Sequence, residues 1–303
     1  MVRQRVPAAA VAAAGVLASC GAPAAPGQPA PTPAVTSRCT LAATGGLEQV
    51  TILAPGPLGT MPRTYELHVP AGAGATGPVP LLVSLHGLGA TGGIQDALTG
   101  WSAFADDRAR AGAPFIAAFP DGVGTLWLWG LQDSYDVTFL FDVIAGLRSS
   151  GCVDPSAIYV DGWSEGAYMA QRMACAASGG GVTLAAVHSY AGGDPALPGP
   201  CRPSREVPLL LSNGLDDVLI DPLRLGFPDF EAWGRRYSCE APAAPYTAAQ
   251  ELGGCGDGTP VAWWPLSGLG HLSWSCPADR FWHNRGIWGF LTRRVAPADT
   301  VCR

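Results

Sequence analysis

The stretch Ala157-Ile158-Tyr159-Val160-Asp161-Gly162-Trp163-Ser164-Glu165-Gly166-Ala167-Tyr168-Met169-Ala170 constrains this chain more than any other. It opens with β-branched and aromatic residues suited to a buried strand, turns at Gly162-Trp163-Ser164-Glu165-Gly166, and continues with helix formers over 167–177. In a strand–turn–helix context, a G-x-S-x-G pentapeptide reads as a nucleophile elbow. Its glycines have a steric task, because strand and helix approach closely only where those flanks lack side chains. The turn forces the serine into a strained backbone that lifts its hydroxyl into the open. The N-terminus of the helix then aims backbone N–H groups at developing negative charge. Such a serine needs a histidine, an acid and a second oxyanion donor from elsewhere in the chain.

The surrounding pattern is an alternation. Strands are expected over 64–69, 81–86, 115–119, 184–190, 207–212 and 261–265, and helices over 135–147, 230–237 and 287–294. The run Leu81-Leu82-Val83-Ser84-Leu85 is almost wholly apolar, as in a strand covered on both faces. The class is therefore α/β, a mostly parallel sheet with helices on both faces. Ligands of such sheets sit at the carboxyl ends of the strands.

Three strand-end loops carry candidate chemistry. His86-Gly87-Leu88-Gly89 follows the strand ending at Leu85, and a glycine-bearing turn there lets the Leu88 N–H point at the same spot as the Glu165 N–H. His86 itself reads as a structural residue that holds this loop. Asn213-Gly214-Leu215-Asp216-Asp217 follows the strand ending at Ser212, and Asp216, Asp217 and Asp221 compete as the acid, with Asp217 favoured. Gly268-Leu269-Gly270-His271 follows the last strand and offers a base for the Ser164 proton. Of the five histidines, His68 and His188 fall in strands and His283 sits among aromatics near the terminal helix. Only His271 follows the acid on a glycine-flanked loop, and Ser…Asp…His is one of three known chain orders for such triads. Trp129, Trp163 and Trp274, with Trp127, fall near the expected active face and are candidates for an apolar substrate subsite.

Composition bears on compartment. The net charge is −6 and every basic residue is Arg, with no cluster beyond Arg235-Arg236 and Arg293-Arg294, which argues against a nucleic-acid partner. Arg3 and Arg5 precede an apolar run over 6–16, and Leu17-Ala18-Ser19-Cys20 closes it with small residues. That ending resembles a bacterial lipobox, which implies removal of residues 1–19 and lipidation of Cys20. Residues 20–45 are then expected to form a Pro/Ala-rich flexible tether, and 46–303 a single catalytic domain. Setting Cys20 aside leaves eight cysteines, an even number that suits disulfides in an oxidising compartment. Cys175 ends the elbow helix and Cys201 follows the next strand and its Gly/Pro-rich loop, so these two are expected to pair. Cys239 and Cys255 bracket a Pro/Ala-rich excursion and form the second expected pair. The pairing of Cys39, Cys152, Cys276 and Cys302 stays open. No C-x-x-C or His-rich spacing occurs, so no metal is expected.

The combination Leu85-His86-Gly87, Phe119-Pro120-Asp121-Gly122, Asp136-Val137, Val153-Asp154-Pro155, Gly162-Trp163-Ser164-Glu165-Gly166 and Gly268-Leu269-Gly270-His271 resembles the extracellular poly(3-hydroxybutyrate) depolymerase and feruloyl/acetylxylan-type esterase family of α/β-hydrolases. The resemblance spans residues 64–291 and implies the α/β-hydrolase fold. It implies Ser164 as nucleophile, Asp217 as acid (three residues after Gly214) and His271 as base, with an ester as substrate and no cofactor. There are departures. Asn213-Gly214 stands where the family usually has His-Gly, Leu272-Ser273-Trp274 replaces a Trp-Pro after the histidine, and Glu165 stands where a small amide side chain is common. The expectation is an exported, membrane-tethered serine carboxylesterase for polyhydroxybutyrate-type or feruloyl/acetyl esters. An acyltransferase to a cell-envelope acceptor and a non-catalytic envelope-binding lipoprotein are the alternatives.

Overall fold

The computed structural model describes residues 39–131, 133–176, 178–194, 200–272, 274, 276 and 278–301. The chain divides into two units, Met1–Val35 and Thr36–Arg303, and the described residues all belong to the second. The expected leader, Cys20 and most of the expected tether lie outside the described residues, as does Cys302.

In chain order the elements are β1 (Glu48–Gly56), β2 (Gly59–His68), β3 (Val79–Leu85), α1 (Gly92–Thr99), α2 (Trp101–Arg110), β4 (Ile116–Pro120), α3 (Tyr135–Ser149), β5 (Val153–Trp163) and α4 (Glu165–Ala176). A small hairpin β6 (Ser178–Gly179) and β7 (Val182–Thr183) leads to β8 (Ala186–Tyr190) and β9 (Leu209–Gly214). A π-helical turn (Pro222–Gly226) runs into α5 (Phe227–Arg236), followed by β10 (Gln250–Glu251), β11 (Val261–Leu266) and α6 (Trp282–Arg293). The main sheet has nine strands in the order β1-β2-β4-β3-β5-β8-β9-β11-β10. The six from β4 to β11 run parallel, and β1, β2 and β10 add antiparallel edges.

The pleat explains why these strands read as continuous apolar runs. Leu81, Val83, Ile158, Val160, Leu209 and Leu211 enter one core with α3, α4 and α5. Leu82, Tyr159, Leu210 and Trp264 enter the other, with α2 and α6. Successive residues of a strand point to opposite faces, so a strand covered on both sides is apolar throughout. The sequence expectation missed α1 and α2, which are short, at 8 and 10 residues against 15 in α3. Both are set by their ends: Thr91 caps α1 by accepting from the Ile94 N–H at 3.3 Å, and Gly100 closes it in the left-handed region.

Polar groups are also built into the sheet. The Ser84 hydroxyl (β3) donates to Asp161 (β5) at 2.7 Å, Asp161 pairs with His188 Nδ1 (β8) at 2.6 Å, and His188 Nε2 meets Ser212 Oγ (β9) at 2.7 Å. Trp101 Nε1 also donates to Asp161 at 2.8 Å. The arrangement copies a Ser–His–Asp relay in its connectivity, but all four strand residues are fully buried. With no path for a substrate, it ties four adjacent strands together just beneath their carboxyl ends.

Three disulfides join described cysteines: Cys39–Cys152, Cys175–Cys201 and Cys239–Cys255. Cys276 is disulfide-bonded as well. The first bridge corrects the expected end of the tether. Residues 39–45 are fastened to the domain by Cys39–Cys152, by the Thr40 N–H donating to Ser150 O at 3.0 Å, and by the Thr44 N–H donating to Val69 O at 2.9 Å. That bridge spans 113 residues of sequence. Replacing both its cysteines by Ser is expected to cost about 5 kcal/mol, the chain-entropy value for a loop of this size. The check is the guanidinium unfolding midpoint of the double variant; a midpoint equal to wild type refutes the expectation.

Candidate active site

Ser164 sits between β5 and α4 with φ +55°, a left-handed backbone that a side chain rarely accepts. The strain is held from both directions. Its N–H donates to Tyr190 O at 2.9 Å, and its carbonyl accepts from the Ala167 N–H at 2.9 Å. The flanking glycines are obligatory here. A Cβ on Gly162 would lie 2.1 Å from Gly166 O, and one on Gly166 would lie 2.2 Å from Leu85 O. The G-x-S-x-G spacing thus encodes the close crossing of strand and helix.

His271 reaches this serine from the loop after β11, with Nε2 2.9 Å from Ser164 Oγ. Two side chains locate the loop: the Tyr190 hydroxyl donates to Gly270 O at 2.7 Å, and Trp163 Nε1 donates to His271 O at 2.8 Å. The other ring nitrogen, Nδ1, lies 2.8 Å from Asp217 Oδ2. Asp217 is 3% exposed. Its second oxygen accepts from the Leu219 and Ile220 N–H groups, each at 2.9 Å, which orients the carboxyl toward the ring. The competing acids are separated by this loop. Asp216 is exposed and is held through its backbone, its N–H donating to Leu269 O at 3.0 Å. Asp221 accepts from the Leu223 and Arg224 N–H groups and caps the π-helical turn.

The loop after β3 brings Leu88 to the same place. The neighbouring Gly89 N–H donates to Thr125 O and the Ala90 N–H to Gly87 O. Among the described residues, no protein acceptor takes the Leu88 or the Glu165 N–H. His86 holds the loop: Nδ1 donates to Gly87 O at 2.8 Å and Nε2 accepts from the Gly122 N–H at 2.9 Å. Burial lowers its pKa, which keeps the ring neutral.

Beside Ser164 opens a cavity of about 590 Å³, whose wall includes Leu88, Trp129, Glu165, Tyr168, Leu225 and Ala232. This is the size of a small-molecule site. Trp129 and Tyr168 lie with ring centroids 4.7 Å apart and supply an aromatic wall. Of the three candidate tryptophans, Trp129 alone lines this cavity. Trp163 packs beside the His271 ring, centroids 5.5 Å apart. Trp274 is 5% exposed and packs on Tyr190 and His283, so it belongs to the core below the site rather than to a subsite. The indole is buried in the core that α6 covers, against His283 of that helix.

Several supporting residues were given no role by the sequence reading, although Asp136 falls in one of the segments that carry the resemblance. Arg63 on β2 pairs with the buried Asp136 at 2.6 Å, and the other oxygen of Asp136 accepts from the Leu128 N–H, which positions the Trp129 wall. Asp229 lines the far end of the cavity, fully buried, with Oδ2 accepting from Gln171 Nε2 at 2.7 Å. Burial pushes its pKa well above the ordinary carboxyl range, with Asp194 adding to the rise. The Arg63–Asp136 and Gln171–Asp229 contacts join residues 73 and 58 positions apart, and no local pattern announces them.

The nine-stranded sheet, the strand–serine–helix crossing and the loops at the strand ends define an α/β-hydrolase fold. No protein-family model matches the chain, and no curated protein matches its sequence. Solved structures do match in fold. An acetyl xylan esterase from Aspergillus awamori superimposes with a TM-score of 0.59 at 17% identity, over 75% of this chain and 94% of that one. The poly(3-hydroxybutyrate) depolymerase LpqC from Bordetella parapertussis gives 0.52 at 16% identity, over 83% and 91%. A ferulic acid esterase from Anaeromyces mucronatus gives 0.51 at 14% identity, over 82% and 93%.

Proposed function

We propose that the protein is a serine carboxylesterase in which Ser164, His271 and Asp217 are the catalytic residues. The observation that carries this reading is the continuous chain from Asp217 Oδ2 through both nitrogens of His271 to Ser164 Oγ, at 2.8 and 2.9 Å, opening on a cavity. The buried Asp161–His188–Ser212 relay has the same connectivity and lacks the cavity, so solvent access separates the two. In the proposed reaction Ser164 Oγ attacks the ester carbonyl as His271 Nε2 takes its proton. The Leu88 and Glu165 amides bind the oxyanion, and Asp217 stabilises the imidazolium. His271 then protonates the departing alkoxide. Water, deprotonated by the same nitrogen, attacks the acyl-enzyme and releases the acid and Ser164.

The substrate class favoured is a polyhydroxybutyrate-type or a feruloyl/acetyl ester. The support is the fold shared with esterases of both kinds and the Trp129–Tyr168 wall, which suits an apolar or aromatic acyl group. The test is a fluorophosphonate probe followed by peptide mapping, which should put the label on Ser164. A panel of hydroxybutyrate oligomers, feruloyl esters and short nitrophenyl esters then ranks the substrates. Absence of labelling on the folded protein would remove the esterase reading.

Export and a lipid anchor at Cys20 complete the proposal, supported by the Leu17-Ala18-Ser19-Cys20 ending and by the disulfides of the domain. Cys20→Ser should move the exported protein from the membrane to the soluble fraction. Retention of that variant on the membrane would count against the anchor.

A further inference from the structure

The residue after the nucleophile supplies more than an amide. The Glu165 side chain turns into the structure, where it lines the cavity and leaves Oε2 buried with no hydrogen-bond partner among the described residues. An ionised carboxylate in that position lacks both water and a donor at one oxygen. A protonated carboxyl is tolerated there. Resting on the serine-esterase reading of this site, we propose that Glu165 is a charge gate on the reaction: its carboxyl must carry a proton for the oxyanion to form at the neighbouring amides, and loss of that proton shuts the site down.

The argument is one of distance. The oxyanion forms about 3 Å from the Glu165 N–H. Covalent reach keeps the carboxyl of the same residue within about 5 Å of that nitrogen, and so within about 8 Å of the oxyanion. With an effective dielectric constant of about 20, a unit negative charge at that separation slows oxyanion formation about 30-fold.

The charges facing Glu165 from its surroundings leave this effect in place. Asp136, from α3, is paired with Arg63. His86, from the β3 loop, is kept neutral by burial. Asp217 and His271 are engaged with each other. Arg172, further along α4, donates Nε to Trp129 O and Nη1 to Pro200 O. Across the cavity, Asp194 is paired with Arg236 at 2.5 Å and Asp229 is held toward its neutral form by burial. Arg224 and Arg235 line the same cavity but are exposed, so water and salt screen them. Burial, reinforced by Asp136 and opposed by a hydrogen bond from the Trp127 backbone, pushes the Glu165 carboxyl up to about 7. The protonated form therefore predominates below that pH and is lost as pH rises through it.

The test is the pH dependence of kcat/KM for nitrophenyl butyrate, an ester with no titrating group, together with the rate of fluorophosphonate labelling. Wild type should lose about 30-fold in both between pH 6 and pH 9. Glu165→Gln should lose that alkaline limb and hold its rate to pH 9. Glu165→Met, of similar volume and without a titrating group, should behave the same and serves where the Gln variant folds poorly. A flat wild-type profile above pH 7, or an unchanged alkaline limb in both variants, would overturn the gate. Wild type that labels at no pH would instead remove the esterase reading itself.

Discussion

Ser164→Ala is expected to lower kcat for a short nitrophenyl ester by about 10⁶, the scale lost when a triad nucleophile is removed. The change deletes one oxygen and the 2.9 Å contact to His271 Nε2, and it leaves the other catalytic contacts in place. The backbone stays at φ +55° because the Tyr190 and Ala167 hydrogen bonds that hold it are main-chain bonds. Ala tolerates that region no better than Ser, so neither strain nor core packing changes much, and stability should stay within about 1 kcal/mol of wild type. A residual rate of about 10³–10⁴ over water is expected from the oxyanion amides and binding alone. A loss of less than tenfold in a folded variant would move the nucleophile elsewhere.

Asp217→Asn is expected to lower kcat by about 10⁴, and Asp216→Asn to leave it near the wild-type value. The reason lies in what fixes the carboxyl. Leu219 and Ile220 donate two N–H groups to Oδ1, so an Asn at this position keeps its carbonyl oxygen there. Its NH₂ then faces His271 Nδ1, where the carboxylate oxygen stood at 2.8 Å. Nδ1 is made an acceptor, the ring proton moves to Nε2, and Nε2 can no longer take the Ser164 proton. Asp216 is exposed and is held only through its main chain, so its side chain has nothing catalytic to lose. Steady-state kinetics on both variants decide the matter, and the reverse order would make Asp216 the acid.

The site was legible in the sequence wherever chemistry and local backbone coincide. Gly162, Ser164 and Gly166 are readable because one strand–helix crossing demands all three within five residues. Gly268 to His271 and Gly214 to Asp217 are readable as turns that follow apolar runs. The choice among Asp216, Asp217 and Asp221 was narrowed by resemblance alone, since adjacent side chains differ only in direction. The cavity wall was less legible still. Three tryptophans had equal standing as a subsite, and the fold sends Trp129 to the cavity, Trp163 beside the base and Trp274 into the core.

What the sequence by itself determined is the alternating α/β order, the strained serine, and the strand ends from which its partners come. Periodicity and turn chemistry act over a few residues, so a local reading recovers them. The tertiary structure alone decided which acid meets His271 and which of two Asp–His–Ser chains opens on a cavity. It also decided that residues 39–45 belong to the domain, and that the Glu165 carboxyl is turned inward beside the nucleophile. Each of these depends on direction and solvent access between segments far apart in the chain, quantities that exist only once the sheet has assembled and its loops have packed against one another.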